Sequence, residues 1–453
     1  IMFPFRRLSF YSTFVGTFML FHICASTYSS ITKQNLRLKS SGEFKIVQFT
    51  DLHFGENPDS DWGPRQDKET KIALHRLLEL EDASTVDLVV LSGDQLTGLN
   101  IDANATDVWD GIIAVLDEAN VPHTAILGNH DAEPQTGDQS DPGAKTNRTQ
   151  LIQHDSSLKS SYTQVGPDDL SPAASVYVVN VYHPSYLAAD SKNSMDDTGS
   201  TAGGKISDTD PPLDAPMLQL IHMDSGGGGM EEKIYSNQVA WFNQTMTQTR
   251  ARYQDHNIPA LLFIHIPFEE FAIAYEDFTG TGSSACWGTY RDGVTPTLDD
   301  GGLFAAINTT EEVKAVFVGH DHCNDFCCAY STSTTASTGS SSSSFQADVK
   351  ELCFGRHSCF GGYNCDGYEK GSRVINAKLL STVPVEGEDD AGQAAKEHDD
   401  GEGTGGIYLD AAAGKGSRQE PTAVRRFNSI EITTYVRLLS GKIIHERKML
   451  HSL

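Results

Sequence analysis

Residues 86–98 read VDLVVLSGDQLTG. The apolar run 88–91 is too short for a helix and long enough for a strand buried on both faces, the kind found in parallel sheets. It stops at Ser92-Gly93, and Asp94 follows directly. Open α/β sheets place their ligand sites at such strand ends, and Gly93 leaves room for close backbone approach. Four other apolar runs end alike: 44–50 in Asp51-Leu52-His53, 124–127 in Gly128-Asn129-His130-Asp131, 261–264 in His265, and 313–318 in Gly319-His320-Asp321-His322. One Asp after Gly is by default a turn residue, and one His at a strand end is ordinary. Five such ends in a single chain predict a metal centre at one sheet edge.

Helical patterns separate these strands. One covers 65–80, with Ile72, Leu74, Leu77, Leu78 and Leu80 as its apolar positions; the next covers 107–120, with Val108, Ile112, Val115 and Leu116 inward. Strand, helix, strand, helix, strand is the start of a doubly wound α/β fold. Further strands are predicted at 175–181, 217–223 and 260–264, with a long helix at 236–256 carrying Val239, Trp241, Phe242 and Met246. The tail alternates at 374–380, 430–438 and 443–447, which suggests antiparallel partners. Residues 132–145 read as a loop inserted beyond the site edge. Polar, Ser-rich or acid-rich stretches at 190–216, 331–346 and 384–406 are expected to be disordered insertions in a single domain spanning 40–453.

With 453 residues, 38% hydrophobic and 21% charged, the chain can bury a large core. Its net charge of −27 argues against nucleic acid and against an anionic membrane surface as partners. The same charge repels phosphate, so an anionic substrate needs a locally positive centre, which a metal pair supplies. Arg6-Arg7 followed by the apolar run 8–25 has the anatomy of a secretory signal peptide over 1–26, with a single-pass anchor as the alternative. No later stretch is long and apolar enough to span a membrane. A secreted protein, or one in an endomembrane or vacuolar lumen, is expected to carry glycans and disulfides. Sequons stand at Asn104, Asn147, Asn243 and Asn308. Cys24 would leave with the signal, and the remaining Cys286, Cys323, Cys327, Cys328, Cys353, Cys359 and Cys365 are odd in number, so at least one thiol is free or pairs between chains. Their clustering suggests local staples. A zinc knuckle of Cys323, Cys327, Cys328 and Cys353 competes, disfavoured by its spacing and by an oxidising compartment.

Asp, His and Asn side chains arriving from separate strands suit a two-metal centre: oxygen and imidazole ligands, a shared carboxylate, and open positions for substrate. The order Asp51-x-His53, Gly93-Asp94, Gly128-Asn129-His130-Asp131, His265 and Gly319-His320-x-His322 resembles the calcineurin-like metallophosphoesterases. Asp51-Leu52-His53-Phe54-Gly55, Ser92-Gly93-Asp94-Gln95, Ile264-His265-Ile266-Pro267 and Gly319-His320-Asp321-His322-Cys323-Asn324-Asp325-Phe326 resemble the small purple-acid-phosphatase-like branch of that family. The resemblance runs from about residue 44 to 380 and resumes near 430. It implies a four-layer αββα sandwich with mixed sheets and metal ligands at strand C-terminal ends.

It also implies that Asp51, His53, Asp94 and His322 hold one metal ion, that Asp94, Asn129, His265 and His320 hold a second, and that a hydroxide bridging the two is the nucleophile. Iron, manganese and zinc all remain open. His130 is similar in position to the family's histidine facing the leaving-group oxygen, and Asp131 would orient that imidazole. Purple acid phosphatases proper carry a tyrosinate ligand three residues after the bridging Asp, where this sequence has Thr97, and Gly where His53 stands. No purple colour is therefore expected. The function implied is a secreted or endomembrane metal-dependent phosphomonoesterase with a phosphate-ester substrate. A phosphodiesterase or nucleotidase on the same scaffold and a non-catalytic glycoprotein are the alternatives. His22, His75, His123, His154, His222 and His256 lie outside any motif and read as structural. Glu269-Glu270 read as a solvated helix start, and Asn324-Asp325 as shaping the turn after His322.

Overall fold

The short apolar runs become strands that pair into two sheets. The computed structural model describes residues 33–98, 101, 105–132, 146–184, 214–253, 256–280, 285–330, 349–381 and 427–453. In chain order the strands are β1 (Leu36–Arg37), β2 (Glu43–Phe49), β3 (Leu88–Ser92), β4 (His123–Ile126), β5 (Tyr177–Tyr182), β6 (Pro216–His222) and β7 (Ala260–Phe263). Then follow β8 (Ala285–Trp287), β9 (Val313–Val318), β10 (Cys327–Tyr330), β11 (Lys350–Phe354), β12 (Gly371–Ser381), β13 (Phe427–Leu438) and β14 (Ile443–Ser452). The helices are α1 (Trp62–Leu80), α2 (Ala105–Glu118), α3 (Arg148–Ser157), α4 (Ser236–Arg252), α5 (Glu269–Gly280) and α6 (Leu303–Asn308).

One sheet has the order β14-β13-β12-β2-β3-β4, the other β1-β5-β6-β7-β9-β11-β10-β8. Both are mixed. In the first, β2, β3 and β4 run parallel while β12, β13 and β14 pair antiparallel, as their alternation predicts. In the second, β6, β7, β9 and β11 are parallel, flanked by antiparallel pairings at β5 and β10.

Side chains that alternate along each strand fall into separate cores. Phe44, Ile46, Leu88 and Val90 meet Leu220, Leu261, Phe263 and Phe317 between the sheets. Val47, Val89 and Leu91 point the other way, onto Leu74 and Leu77 of α1 and Trp109, Ile112 and Leu116 of α2. Across the molecule, Ile221, Leu262, Val316 and Val318 pack on Phe242 and Met246 of α4, Phe271 of α5 and Leu303 of α6. The result is a four-layer αββα sandwich. Both faces of β3 are covered, which is why 88–91 is continuously apolar; each fully buried Leu or Val there contributes about 1.5–3 kcal/mol.

Several expectations need correction. Ile72 is 59% exposed, because the buried stripe of α1 runs through Thr70, Ala73, Leu74, Leu77 and Leu78 and leaves that position outside. The stretch expected to be disordered up to 216 ends early: Ala215 is buried and Pro216 opens β6. Helix α4 stops at Arg252, short of His256. Strands β10 and β11, which flank the Ser/Thr-rich run, were not anticipated. β10 places Cys327 opposite Cys353 of β11 and Cys328 opposite Cys286 of β8, and both pairs are disulfides. A third disulfide joins Cys323 to Cys365, and Cys359 remains a buried free thiol. All four cysteines of the zinc-knuckle reading are thereby used.

The described residues from Asn35 to Leu453 form one compact unit. The signal segment 1–26, the stretches 190–213, 331–346 and 384–406, His22 and Asn104 lie outside the described residues. No helix among the described residues is long and apolar enough to cross a membrane.

Candidate metal centre

The strand exits are held in backbone conformations that side chains normally avoid. Asp51 (φ 58°), His53 (φ 47°), Asp94 (φ 53°) and His320 (φ 76°) all lie in the left-handed region, which costs a non-glycine residue about 1–3 kcal/mol. The neighbouring strands over-determine these turns. Asp51 N–H donates to the Gly93 carbonyl at 3.1 Å and His53 N–H to the Asp94 carbonyl at 2.9 Å, strapping the exit of β2 to that of β3. His320 N–H donates to Asp51 Oδ1 at 3.0 Å, and His130 N–H to Asp94 Oδ1 at 2.8 Å. Two glycines show how close the approach is. A Cβ on Gly93 (φ 103°) would collide with the His265 ring, and one on Gly128 with the Asp94 carboxylate.

These turns aim side chains at two adjoining points. Asp51, His53 and His322 bring their ligand atoms within 4.8 Å of one another, as do Asp94, His265 and His320. His53 Nε2 faces His322 Nε2 at 3.0 Å. The far nitrogens are engaged: His53 Nδ1 lies 3.2 Å from Thr97 Oγ1, and His322 Nδ1 donates to the Tyr363 carbonyl at 2.8 Å. Burial lowers the pKa of His53 to about 4 and that of His322 well below its usual value, which favours neutral rings, and His322, donating from Nδ1, turns its Nε2 lone pair inward. Asp94 Oδ2 lies 3.0 Å from His265 Nε2 and 3.8 Å from His53 Nε2, facing both groups. Asn129 Oδ1 sits 3.2 Å from His265 Nε2 and 3.0 Å from His320 Nδ1. The fold thus gathers all seven residues proposed as ligands from sequence.

The two carboxylates differ electrically. Burial opposes the charge of Asp94, yet His265, His130 and His53 outweigh it and hold this carboxyl well below the usual range. Burial, only partly offset by His265 and reinforced by the charge of Asp94, lifts Asp51 to about 6. Burial also works against a charge on His265, but Asp94 and Asp51 raise it to about 9. In protein stripped of metal, that raised pKa contributes stability which is complete below the unfolded value of about 6.5 and lost as pH rises through about 9. Binding a metal through the same nitrogen must expel its proton. Over this window the melting temperature of chelator-treated protein should therefore fall while metal affinity rises. Metal titrations giving the same affinity at both ends would contradict the assignment of His265.

His130 is half-buried, its ring 5.1 Å from that of His53. It lines a cavity of about 320 Å³ with Asp94, Thr295, His320, His322 and Tyr363. Asp131 is tied into the backbone. Its oxygens accept the backbone N–H groups of Leu96 and Gly128, each at 2.8 Å, so it fixes the loop that carries His130. Asn324 and Asp325 do shape the turn after His322: Asn324 Oδ1 accepts N–H from Arg291 and Asp292, and Asp325 Oδ1 accepts N–H from Thr289.

Two supports were missed. Arg148 is buried, donates to the Gly128 carbonyl and pairs with Asp224, whose other oxygen accepts N–H from Ala174 and Ser175. Breaking such a buried pair costs about 3–5 kcal/mol, and here it would free the loop of Asn129. Tyr363 stacks on His322 at 4.0 Å and 2°. Its hydroxyl accepts the His322 N–H at 2.8 Å and donates to Asp292.

The Cys323–Cys365 disulfide fastens the His322 segment to that of Tyr363. Mild reduction should therefore release metal before the protein unfolds, read as metal loss preceding any change in circular dichroism. Simultaneous loss of both signals would deny the disulfide this role.

Residues 44–324 match the family model described as calcineurin-like phosphoesterase. The chain is 26% identical over 410 residues to "Probable inactive purple acid phosphatase 14" of Arabidopsis thaliana, covering 83% of this chain and 86% of that protein. It is 27% identical over 311 residues to "Phosphatase DCR2" of Saccharomyces cerevisiae, covering 65% and 46%. Among solved structures, purple acid phosphatase PPD1 from yellow lupin is similar with 11% identity and a TM-score of 0.42, over 91% of this chain and 54% of that one.

Proposed function

Because the chain belongs to the calcineurin-like phosphoesterase family, we propose that it hydrolyses phosphate monoesters with two metal ions held by Asp51, His53, Asp94, Asn129, His265, His320 and His322. The observation that carries this reading is Asp94 Oδ2, which faces both ligand groups. Carboxylate, amide oxygen and neutral imidazole suit iron, manganese or zinc. Two divalent ions there would supply an activated water and a clamp for the phosphoryl oxygens.

The chain's own residues do the rest. Thr97 and Tyr363 fix which nitrogen His53 and His322 turn inward. His130, on the cavity wall, holds a proton for the departing alkoxide. No lysine or arginine is among the described residues lining the cavity, so capture of the anion falls to the metals. Three disulfides suit an oxidising compartment, secreted or lumenal, and exposed Asn147 and Asn243 are compatible with glycans.

The relative named as inactive favours a second reading, a non-catalytic glycoprotein that keeps the fold for binding. The complete donor set of this chain weighs against it. Hydrolysis of an aryl phosphate monoester and of the matching diester by metal-reconstituted protein separates the possibilities. Preference for the monoester is expected. Preference for the diester would make it a phosphodiesterase, and hydrolysis of neither by protein carrying two metals would favour the binding role.

A further inference from the structure

Against the first ligand group lies a buried polar cluster that the proposed hydrolysis does not use: His357, Cys359 and Lys370. Its segment runs beside the exit of β2. His357 bridges to Thr50 in parallel fashion, Ser358 N–H donates to the Thr50 carbonyl at 3.3 Å, and Thr50 N–H donates to Ser358 Oγ at 3.3 Å. Lys370 Nζ lies 2.6 Å from His357 Nδ1 and also bonds Asn364.

An ammonium has only donors, so Nδ1 accepts and the imidazole carries its hydrogen on Nε2. That nitrogen faces Cys359 Sγ at 3.2 Å. The thiol in turn donates to the Asp51 carbonyl at 2.7 Å. Along this path the hydrogens point one way, from Lys370 through His357 and Cys359 to the Asp51 carbonyl, while Lys370 also donates to Asn364 and the thiol has the Gly361 carbonyl at 3.5 Å as a weaker acceptor. At the receiving end Asp51 holds its left-handed φ of 58°. The His357 ring also lies 4.1 Å from that of His322, so the cluster touches two members of the first ligand group. The Asp94, His265 and Asn129 side chains are oriented differently, through Ser92, His130 and one another, and the His320 ring through Asn129, although the His320 backbone N–H donates to Asp51 Oδ1. Burying a lysine and an imidazole carries a desolvation cost that apolar side chains of similar size would avoid.

We propose that the Lys370–His357–Cys359 chain positions Asp51 and His322, so that the first metal position depends on it and the second does not. This rests on the two-metal reading above. The test is a chelator competition on metal-reconstituted protein, reading metals per chain and the affinity of each. Cys359→Ala cuts the last link and should weaken one ion about 10–100-fold, leaving the other within about threefold. Cys359→Ser keeps a donor and an acceptor and should restore binding to within about threefold of the parent. The same contrast is carried by His357→Gln, which keeps a donor and an acceptor, and His357→Leu, which keeps neither; this pair decides the matter if Cys359→Ala does not fold. Unchanged binding in Cys359→Ala or His357→Leu, equal weakening of both ions, or no rescue by serine would overturn the proposal. Parent protein that binds fewer than two metals would instead sink the two-metal reading beneath it.

Discussion

Asp94→Asn should yield a folded protein that neither holds two metals nor turns over substrate. The amide is the same size and can still accept the His130 N–H now bound to Asp94 Oδ1, so the loop keeps its anchor. What is lost is the negative charge facing both ligand groups, with His53 Nε2 at 3.8 Å and His265 Nε2 at 3.0 Å from Asp94 Oδ2. Loss of one electrostatic contact typically costs about 10²–10³ in rate, and a carboxylate serving two ions should cost at least about 10³. Circular dichroism should match the parent, because the Asp94 side chain belongs to none of the three apolar cores that hold the layers together. Near-normal turnover with two metals bound would show that the ligand set is wrong.

His130→Ala should keep both metals and lose rate in proportion to how poorly the alcohol leaves. A leaving-group acid contributes about 10²–10⁴, but an activated phenol departs without a proton and should be nearly spared. The side chain lies on the cavity wall and is in neither ligand group, while its backbone N–H, which the substitution keeps, is what holds Asp94. Equal losses on alkyl and activated aryl phosphates would remove the acid role and leave His130 as a wall of the cavity.

The strand ends were legible because a strand buried on both faces is largely apolar: 88–91 and 261–264 are continuously so, and 44–50 and 313–318 are broken only by Lys45, Gln48, Thr50 and Lys314 before the ligand residue ends the run. The four-layer sandwich came from the resemblance; the alternating core contacts of β2 and β3 supply its physical reason. The left-handed turns were not legible. Asp51, His53, Asp94 and His320 adopt them without glycine, held by bonds from other strands. Support from far along the chain was equally hidden: Arg148 meets Asp224, and Cys359 meets Asp51, across long separations. Within 355–370 the two glycines before Tyr363, between Cys359 and Cys365, were a signal that could have been read, since they mark a tight loop held by a disulfide. Ile72 failed because a helical stripe admits some positions and excludes their neighbours, and apolar character alone does not say which.

The most direct measurement follows turnover of an aryl phosphate as metal is added back to stripped protein, with bound metal counted at each step. A carboxylate shared by two ligand groups requires that activity appear as the second ion binds and level off at two metals per chain. Activity that saturates at one metal per chain, or persists after both are removed, would contradict a shared two-metal site at Asp94.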